Sequence, residues 1–339
     1  MSSAPASGAG TLPEPLTRAL AWVGDRLPAF LPPPDPAARR DRLKPLSELA
    51  LAHHWLAGRL GPRVRELGGW RDFLVEACAG GLAARAAAAE PGDALYLMQP
   101  YLWLRAAGHV VDDCEQVLRE RARAGVRPGS PGVLHALEAA GLLRTGPDWA
   151  GLCRRAVLGR DWTDQDLTRD AYRVTHAVFY ATDLGGAPLV LSAVERDRLA
   201  ALLHRLHGHA LRAGRWDLLV ETLIALRGVG AGDPAAEEAW AARRESLAVH
   251  CDGGTPLDET AARLLAGSRP DDTTLFRSCY HATLADLLLQ SLSVSVSVSV
   301  PGTPGPGRTP EPHELQGDPS PCPQPAHRQR PPLTRTSSS

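Results

Sequence analysis

Residues 199–228, LAALLHRLHGHALRAGRWDLLVETLIALRG, contain two apolar stripes that are separated by a short polar linker. Leucine and alanine recur at steps of three and four residues from Leu199 to Ala210, and a similar spacing returns from Trp216 to Ile224. This spacing places the apolar side chains on one face of each helix. Gly214, in the linker, can adopt the left-handed conformation that commonly ends a helix. The stretch therefore predicts an antiparallel helical hairpin.

The same organisation extends over most of the chain. Clusters of glycine and proline punctuate it at 125–129, 141–147, 185–188, 228–234 and 253–256. They separate segments of about 14 to 22 residues, the length of one helix in a stacked pair. About twelve such helices with no sustained β pattern predict an all-α fold of antiparallel helical hairpins. The hairpins can close into an α/α toroid or form an irregular helical-repeat array, and the lack of a strict 34- or 40-residue repeat favours the toroid.

Composition divides the chain into three parts. Residues 1–14 are rich in Ser, Ala, Gly and Pro and predict a disordered arm, and residues 15–290 form the single helical domain. Residues 291–339 begin with a Ser-Val repeat at 293–300 and continue as a proline-rich segment. A segment with so few aliphatic side chains cannot offset the entropy cost of ordering. We therefore expect a disordered C-terminal tail.

Charge and cysteine usage exclude several classes of protein. The 339 residues carry 37 Lys and Arg against 38 Asp and Glu, which removes the electrostatic argument for a nucleic-acid partner. No run of 18 apolar residues occurs, so we expect no membrane span. Six scattered cysteines without a leader of the secretory type favour reduced thiols in a cytoplasmic protein. The oligomeric state is left open.

The densest group of polar side chains lies at 170–186, DAYRVTHAVFYATDLGG. If this segment is one helix that ends at the glycine pair, His176, Tyr180 and Asp183 follow at steps of four and three and share a face. An imidazole, a phenol and a carboxylate in line form a plausible acid/base set. The alternative is structural: the same side chains can tie the end of the helix to its neighbour. A carboxylate at a helix C-terminus is mildly unfavourable, which favours a functional role for Asp183.

A second group lies near the end of the domain, at 250–254 and 279–283. Cys251, Cys279 and His281 are the ligand types that zinc prefers, so a zinc site is one interpretation. The spacing matches no structural zinc motif, and Cys279 and His281 point away from each other on a regular helix. Isolated buried cysteines are the ordinary alternative. We therefore expect no cofactor, with zinc as a minor hypothesis.

Two acidic clusters have competing interpretations. Asp112 and Glu115 are one helical turn apart and could share a magnesium ion, but they are also typical of the acidic first turn of a helix. The segment 161–166 is most simply a helix start, with Thr163 as the N-cap and Asp166 as the reciprocating acid of a capping box.

Two short sequence boxes resemble a known family. Residues 175–185, THAVFYATDLG, and 280–284, YHATL, resemble an uncharacterised family of helical actinomycete proteins that are often found near biosynthetic operons. The turn at 251–254, CDGG, resembles more weakly the turns of α/α-toroid enzymes such as triterpene cyclases, whose D-x-D-D acid motif is missing here. The first resemblance implies a helical fold over about residues 45 to 290 and carries no known activity.

These observations favour a natural-product biosynthetic enzyme with an internal pocket, acting on an apolar or peptide-derived intermediate. Asp183 would be the acid or base, and His176 and Tyr180 would tune it. The side chains expected to shape or close the pocket are Trp103, Phe179, Asp252, Tyr280 and His281. A helical scaffold that binds a protein or peptide without turnover is the alternative, and a zinc-dependent enzyme is the third.

Overall fold

A computed structural model describes residues 12–32, 43–61, 64–123, 130–143, 145–267 and 270–294. Every regular element in these ranges is a helix, and their β pairing is limited to an isolated bridge between Arg215 and Asp258. The all-α fold is therefore confirmed. The α-helices are α1 Glu14–Gly24, α2 Lys44–Leu60, α3 Arg65–Ala77, α4 Ala83–Ala88, α5 Pro91–Leu97, α6 Gln99–Ala106, α7 Asp112–Arg123, α8 Pro131–Ala139, α9 Trp149–Cys153, α10 Asp164–Arg169, α11 Ala171–Thr182, α12 Ala193–Ala213, α13 Trp216–Gly228, α14 Pro234–Ala248, α15 Glu259–Gly267 and α16 Asp272–Ser291.

The hairpin at 199–228 forms as its sequence predicts. Helix α12 begins with a capping box between Ser192 and Glu195 and ends at Gly214, whose φ of 62° is left-handed. A Cβ on Gly214 would lie 2.7 Å from the Cβ of Glu259, so both the backbone angle and the space require glycine here. Helix α13 starts two residues later and packs against α12.

Local capping also follows the sequence in the segment before α11. Thr163 caps α10, and Asp166 reciprocates by accepting the backbone N–H of Thr163 at 3.0 Å. This part of the chain is less regular than the spacing predicts, because α9 is only one turn long and continues into a π-helical turn at Arg154–Leu158.

Two hydrophobic cores stabilise the fold. The first core is built mainly from α1, α2, α3, α6, α7 and α8, and the second from α11, α12, α13 and α14. Helix α16 contributes to both, with Leu287 in the first core and Leu289 in the second. Leu51 of α2 and Leu288 of α16 touch both cores. Helices α2 and α16 therefore form the seam between the two halves of the domain.

Six helices contact one another in a closed ring around this seam. Helix α2 packs on α6, α6 on α8, α8 on α11, α11 on α13, α13 on α16, and α16 returns to α2. The ring places the inward faces of six helices around one space. Closure into a full α/α toroid stays a prediction.

The expected bounds of the helical domain, residues 15 and 290, stay a prediction. Helix α1 begins at Glu14 and α16 ends at Ser291. Residues 1–11 of the expected arm and residues 295–339 of the expected tail lie outside the described residues. Within the described ranges, no helix has both the length and the apolar character needed to cross a bilayer.

Candidate functional site

A cavity of about 690 Å³ lies inside the ring of helices. This volume is in the range of pockets that bind drug-sized ligands. Most of the wall is apolar or aromatic, and the polar side chains that reach it come chiefly from α2, α6, α11, α13 and α16. They include Lys44, Ser47, Glu48, Gln99, Arg173, His176, Tyr180, Glu221 and His281, and α8 and the residue before it add His135 and Ser130.

His281 is held between two carboxylates on the cavity wall. Its Nδ1 lies 3.1 Å from Glu48 Oε2 on α2, and its Nε2 lies 3.4 Å from Glu221 Oε1 on α13. Only 4% of the Glu221 side chain is exposed, and His281 is also largely buried. Each imidazole nitrogen therefore faces its own carboxylate, which favours the doubly protonated, charged ring.

The electrostatics agree with a charged imidazole. Burial alone would lower the pKa of His281, but Glu48 and Glu221 outweigh it and raise the pKa to about 10. Burial alone would raise the pKa of both carboxyl groups, and the imidazoles outweigh it and lower them, with His176 and His281 acting on Glu221 and His281 acting on Glu48. At neutral pH the group thus holds two negative charges and one positive charge. Lys44, 3.6 Å from Glu48, supplies a half-exposed counter-charge.

Glu221 also links this group to α11. Its Oε2 accepts a hydrogen bond of 2.6 Å from the Thr175 hydroxyl, and its Oε1 lies 3.7 Å from His176 Nε2. The His176 side chain lines the cavity and keeps 44% of its surface accessible. Glu221 therefore orients two imidazoles, the buried ring of His281 and the ring of His176, which is open to the cavity.

A second acid lies one turn earlier on α13. Asp217 accepts a hydrogen bond from the hydroxyl of Tyr172, and burial raises the pKa of Asp217. Every residue of α13 from Trp216 to Leu226 is buried. Sequence reasoning missed Glu48 and Glu221. The available signal was the pair of acids four residues apart, Asp217 and Glu221, within an otherwise apolar helix, because a buried carboxylate needs a partner.

The predicted set of His176, Tyr180 and Asp183 is brought together only in part. His176 and Tyr180 both line the cavity, with ring centroids 6.1 Å apart. Helix α11 ends at Thr182, and Asp183 takes the left-handed conformation, with φ 44° and ψ 59°. The Asp183 side chain is 52% exposed and lies 3.1 Å from His135 Nε2. The change of backbone conformation turns this carboxylate away from the face that carries the other two residues.

The residues expected to shape the pocket divide into two groups. Trp103, Phe179 and His281 line the cavity. Tyr280 lies outside its lining and packs on Phe30 and Phe276, with ring centroids 5.9 and 5.0 Å away. Burial and the neighbouring carboxylate of Glu48 raise the pKa of Tyr280. The Tyr280 hydroxyl therefore keeps its proton and lies beside Glu48, on the side of the first core.

Asp252 lies on the surface, where its side chain is 72% exposed and forms an ion pair of 3.2 Å with Arg26. The structure therefore places it apart from the cavity that it was expected to close.

The geometry gives no support to the zinc or magnesium hypotheses. Cys251 and Cys279 neighbour each other in the first core, and their hydrogen bond and burial raise the pKa of Cys279, whereas His281 faces the cavity. Glu115 accepts hydrogen bonds from Tyr101 and Arg105, each at 2.7 Å, as part of the acidic first turn of α7. Among the residues described, no three His, Cys, Asp or Glu side chains are grouped to hold a metal ion.

Aromatic rings form one side of the cavity. Four rings pack against one another, those of Trp103, His135, Trp149 and Tyr180. The centroid of His135 lies 5.3 Å from those of Trp103 and Tyr180. The centroid of Trp149 lies 5.6 Å from those of His135 and Tyr180. We call these four residues the aromatic cluster. The cavity therefore combines an aromatic side with the charged group formed by Glu48, His281 and Glu221.

Comparison with known proteins places the chain in a family without assigning an activity. Searches of curated proteins and of solved structures gave no match. Residues 16–291 match a family described as a domain of unknown function (DUF6895). This match covers all six helices of the ring and confirms an uncharacterised family; that the two sequence boxes mark it, and its actinomycete origin and operon context, stay predictions. The chain therefore belongs to the DUF6895 family of domains of unknown function.

Proposed function

We propose that the protein is an enzyme that performs acid–base chemistry on a small, mostly apolar molecule bound in the ring cavity. One observation carries the proposal: an imidazole held between the partly buried carboxylate of Glu48 and the buried carboxylate of Glu221, on the wall of a mostly apolar and aromatic cavity. Burying charge is costly, and pKa values displaced in this way are concentrated at functional sites.

The position of each residue in the site indicates its role in the proposed chemistry. His176 would exchange the proton with the bound molecule, because it is the imidazole open to the cavity. Glu221 would orient His176, as a carboxylate does for the histidine of a catalytic triad. His281, whose pKa is about 10, would stay charged and hold Glu221 and Glu48 in place. In this arrangement His176 takes the role of acid or base that the sequence suggested for Asp183, and Glu221 is the carboxylate that orients it.

The lining indicates the kind of molecule. Apolar and aromatic side chains such as Trp103, Phe179 and Leu284 would bind an apolar body, and the charged group would meet its reacting end. An apolar or peptide-derived intermediate fits this description. We also propose that the molecule belongs to a natural-product pathway, on the sequence resemblance alone, and that the protein is cytoplasmic, on its cysteine usage.

The arrangement of the helices favours turnover over a scaffold. A scaffold of helical hairpins would present an open concave surface to its partner. Here the functional side chains converge from α2, α11, α13 and α16 on one cavity, which is partly open to solvent.

The proposal is tested by proton exchange. The purified protein is incubated in D₂O with fractions of a small-molecule extract, and mass spectrometry follows compounds that gain deuterium or disappear. We expect at least one such compound with the wild type, and a rate lower by about 100-fold or more with Glu221→Gln, the usual scale of acid–base catalysis. Glu245→Gln is the matched control, because Glu245 lies on the surface in an ion pair with Arg18.

Two results would contradict the proposal. One is that compounds raise the melting temperature of the wild type but none is altered, which indicates binding without turnover. The other is equal rates for Glu221→Gln and Glu245→Gln. A circular dichroism spectrum and a urea titration of each variant establish that a lost rate does not come from lost folding.

A further inference from the structure

Three hydrogen-bond donors from three helices meet on the cavity wall beside the aromatic cluster. They are the Tyr180 hydroxyl on α11, the side-chain amide of Gln99 at the start of α6, and the backbone N–H of Gly132 in the first turn of α8. A Cβ added to Gly132 would lie 3.1 Å from the Tyr180 oxygen and 3.4 Å from Gln99 Nε2. A side chain at Gly132 would therefore occupy the space next to the other two groups.

The Tyr180 hydroxyl has no hydrogen-bond partner among the described residues, and neither has the amide of Gln99. The Tyr180 side chain is partly buried, and burial, assisted by Glu221 and Glu48, raises its pKa to about 12. The hydroxyl therefore keeps its proton over the physiological pH range and is a donor. A donor on the cavity wall without a hydrogen-bond partner in the protein is available to an acceptor on a bound molecule.

The first turn of α8 supplies the third donor. Pro131 has no N–H, and the N–H of Val133 donates to the Ser130 hydroxyl at 3.3 Å. The N–H of Leu134 donates to the Ser130 carbonyl at 3.1 Å. In this first turn, the N–H of Gly132 therefore has no acceptor inside the helix. The positive end of a helix dipole favours an acceptor with partial negative charge at this position.

We propose that this place is a subsite for a neutral carbonyl oxygen, bound by Tyr180, Gln99 and the N–H of Gly132. The proposal deepens the proposed function and rests on it, because it names a carbonyl compound as the substrate class of the same cavity. The three donors are neutral groups, so a carboxylate bound by them would lose its hydration without gaining a paired cation, whereas a ketone, ester or amide oxygen carries no net charge to desolvate. The same donors would stabilise negative charge that develops on that oxygen during acid–base chemistry.

A matched pair of probes tests the subsite. 2-Acetylnaphthalene and 2-ethylnaphthalene have the same apolar body and differ by the carbonyl oxygen, and 2-naphthoate offers a carboxylate instead. Isothermal titration calorimetry gives the Kd of each. We expect the acetyl compound to bind about 3- to 10-fold more tightly than the ethyl compound, the value of one or two net hydrogen bonds, and 2-naphthoate to bind most weakly.

Two variants test which residues produce the preference for the carbonyl compound. Tyr180→Phe removes one donor and should reduce the preference for the carbonyl to about 2-fold or less. Gly132→Ala fills the subsite while keeping helical backbone, and should remove the preference altogether. Gly58→Ala in α2 is the matched control, because a Cβ there meets no atom within 4 Å.

The possible failures are distinguishable. Equal binding of the acetyl and ethyl compounds, or a preference that survives in Gly132→Ala, overturns the subsite and leaves the apolar cavity of the proposed function intact. Tightest binding of 2-naphthoate that depends on Tyr180 overturns the choice of a neutral carbonyl. No binding of any of the three probes contradicts both the subsite and the ligand-binding cavity.

Discussion

Replacing His281 by glutamine should change how the stability of the protein depends on pH. In the wild type, Glu48 and Glu221 raise the pKa of His281 from its ordinary value of 6.5 to about 10. A group whose pKa is raised by folding stabilises the fold fully below its unfolded pKa, and that stabilisation is lost as the pH rises through the folded pKa. The window for His281 therefore extends from about pH 6.5 to about pH 10.

The magnitude follows from the width of that window. Each pH unit between the two pKa values is worth about 1.4 kcal/mol, so the charged His281 contributes on the order of 5 kcal/mol at pH 6.5 that is gone by pH 10. His281→Gln also leaves two buried carboxylates facing each other, whose pKa values we expect to rise. One of them will then bind a proton as the pH falls, which makes the variant relatively more stable in acid.

Urea unfolding followed by circular dichroism at several values between about pH 6.5 and pH 9 measures the effect. The free energy of unfolding of the wild type should fall by about 1 kcal/mol or more per pH unit through this His281 contribution. His281→Gln should lack that slope and should be less stable than the wild type by about 3–5 kcal/mol at neutral pH. His204→Gln is the control, since His204 is exposed on α12.

A constant difference between the wild type and His281→Gln across this pH range would refute the reasoning. It would mean that His281 does not gain a proton on folding, and that Glu48 and Glu221 are neutral or lie farther from the ring.

Three further predictions concern single side chains. Glu221→Gln should lower the pKa of His281 by about 1–2 pH units, measured by NMR titration of the imidazole signals, and an unchanged value would contradict the ion pair. Asp183→Asn should leave the rate of deuterium exchange within about 2-fold of the wild type, because Asp183 is half exposed beside His135 and lies outside the cavity wall; a loss comparable to that of Glu221→Gln would restore the acid role of Asp183. Gly214→Ala should cost about 2–3 kcal/mol in urea unfolding, because it places a Cβ at φ 62° and against Glu259, and a neutral effect would contradict the left-handed C-cap.

The fold class could be predicted because it depends on local patterns. The spacing of leucines in α12 and α13, the left-handed Gly214 and the Thr163 capping box each involve residues within a few positions of one another. The prediction was less accurate where the signals were weak, as in the short turns around Arg154–Leu158.

The candidate site was harder to predict because its members are far apart in sequence. Placing His176 and Tyr180 on one face of α11 needed only helical periodicity, and both line the cavity. Asp183 failed to join them because the helix ends one residue before it, and helix ends are poorly determined by sequence. Glu48 is 233 residues from His281, and no local rule pairs two residues so distant.

The sequence by itself determined that this chain is all-helical, where several of its helices begin and end, and that α11 carries polar side chains on one face. Only the tertiary structure decided which acids meet which imidazoles, because closure of the ring of helices brings α2, α13 and α16 together. The physical reason is that periodicity and capping are set by neighbouring residues, whereas the charge state of a buried carboxylate depends on groups that approach it through packing.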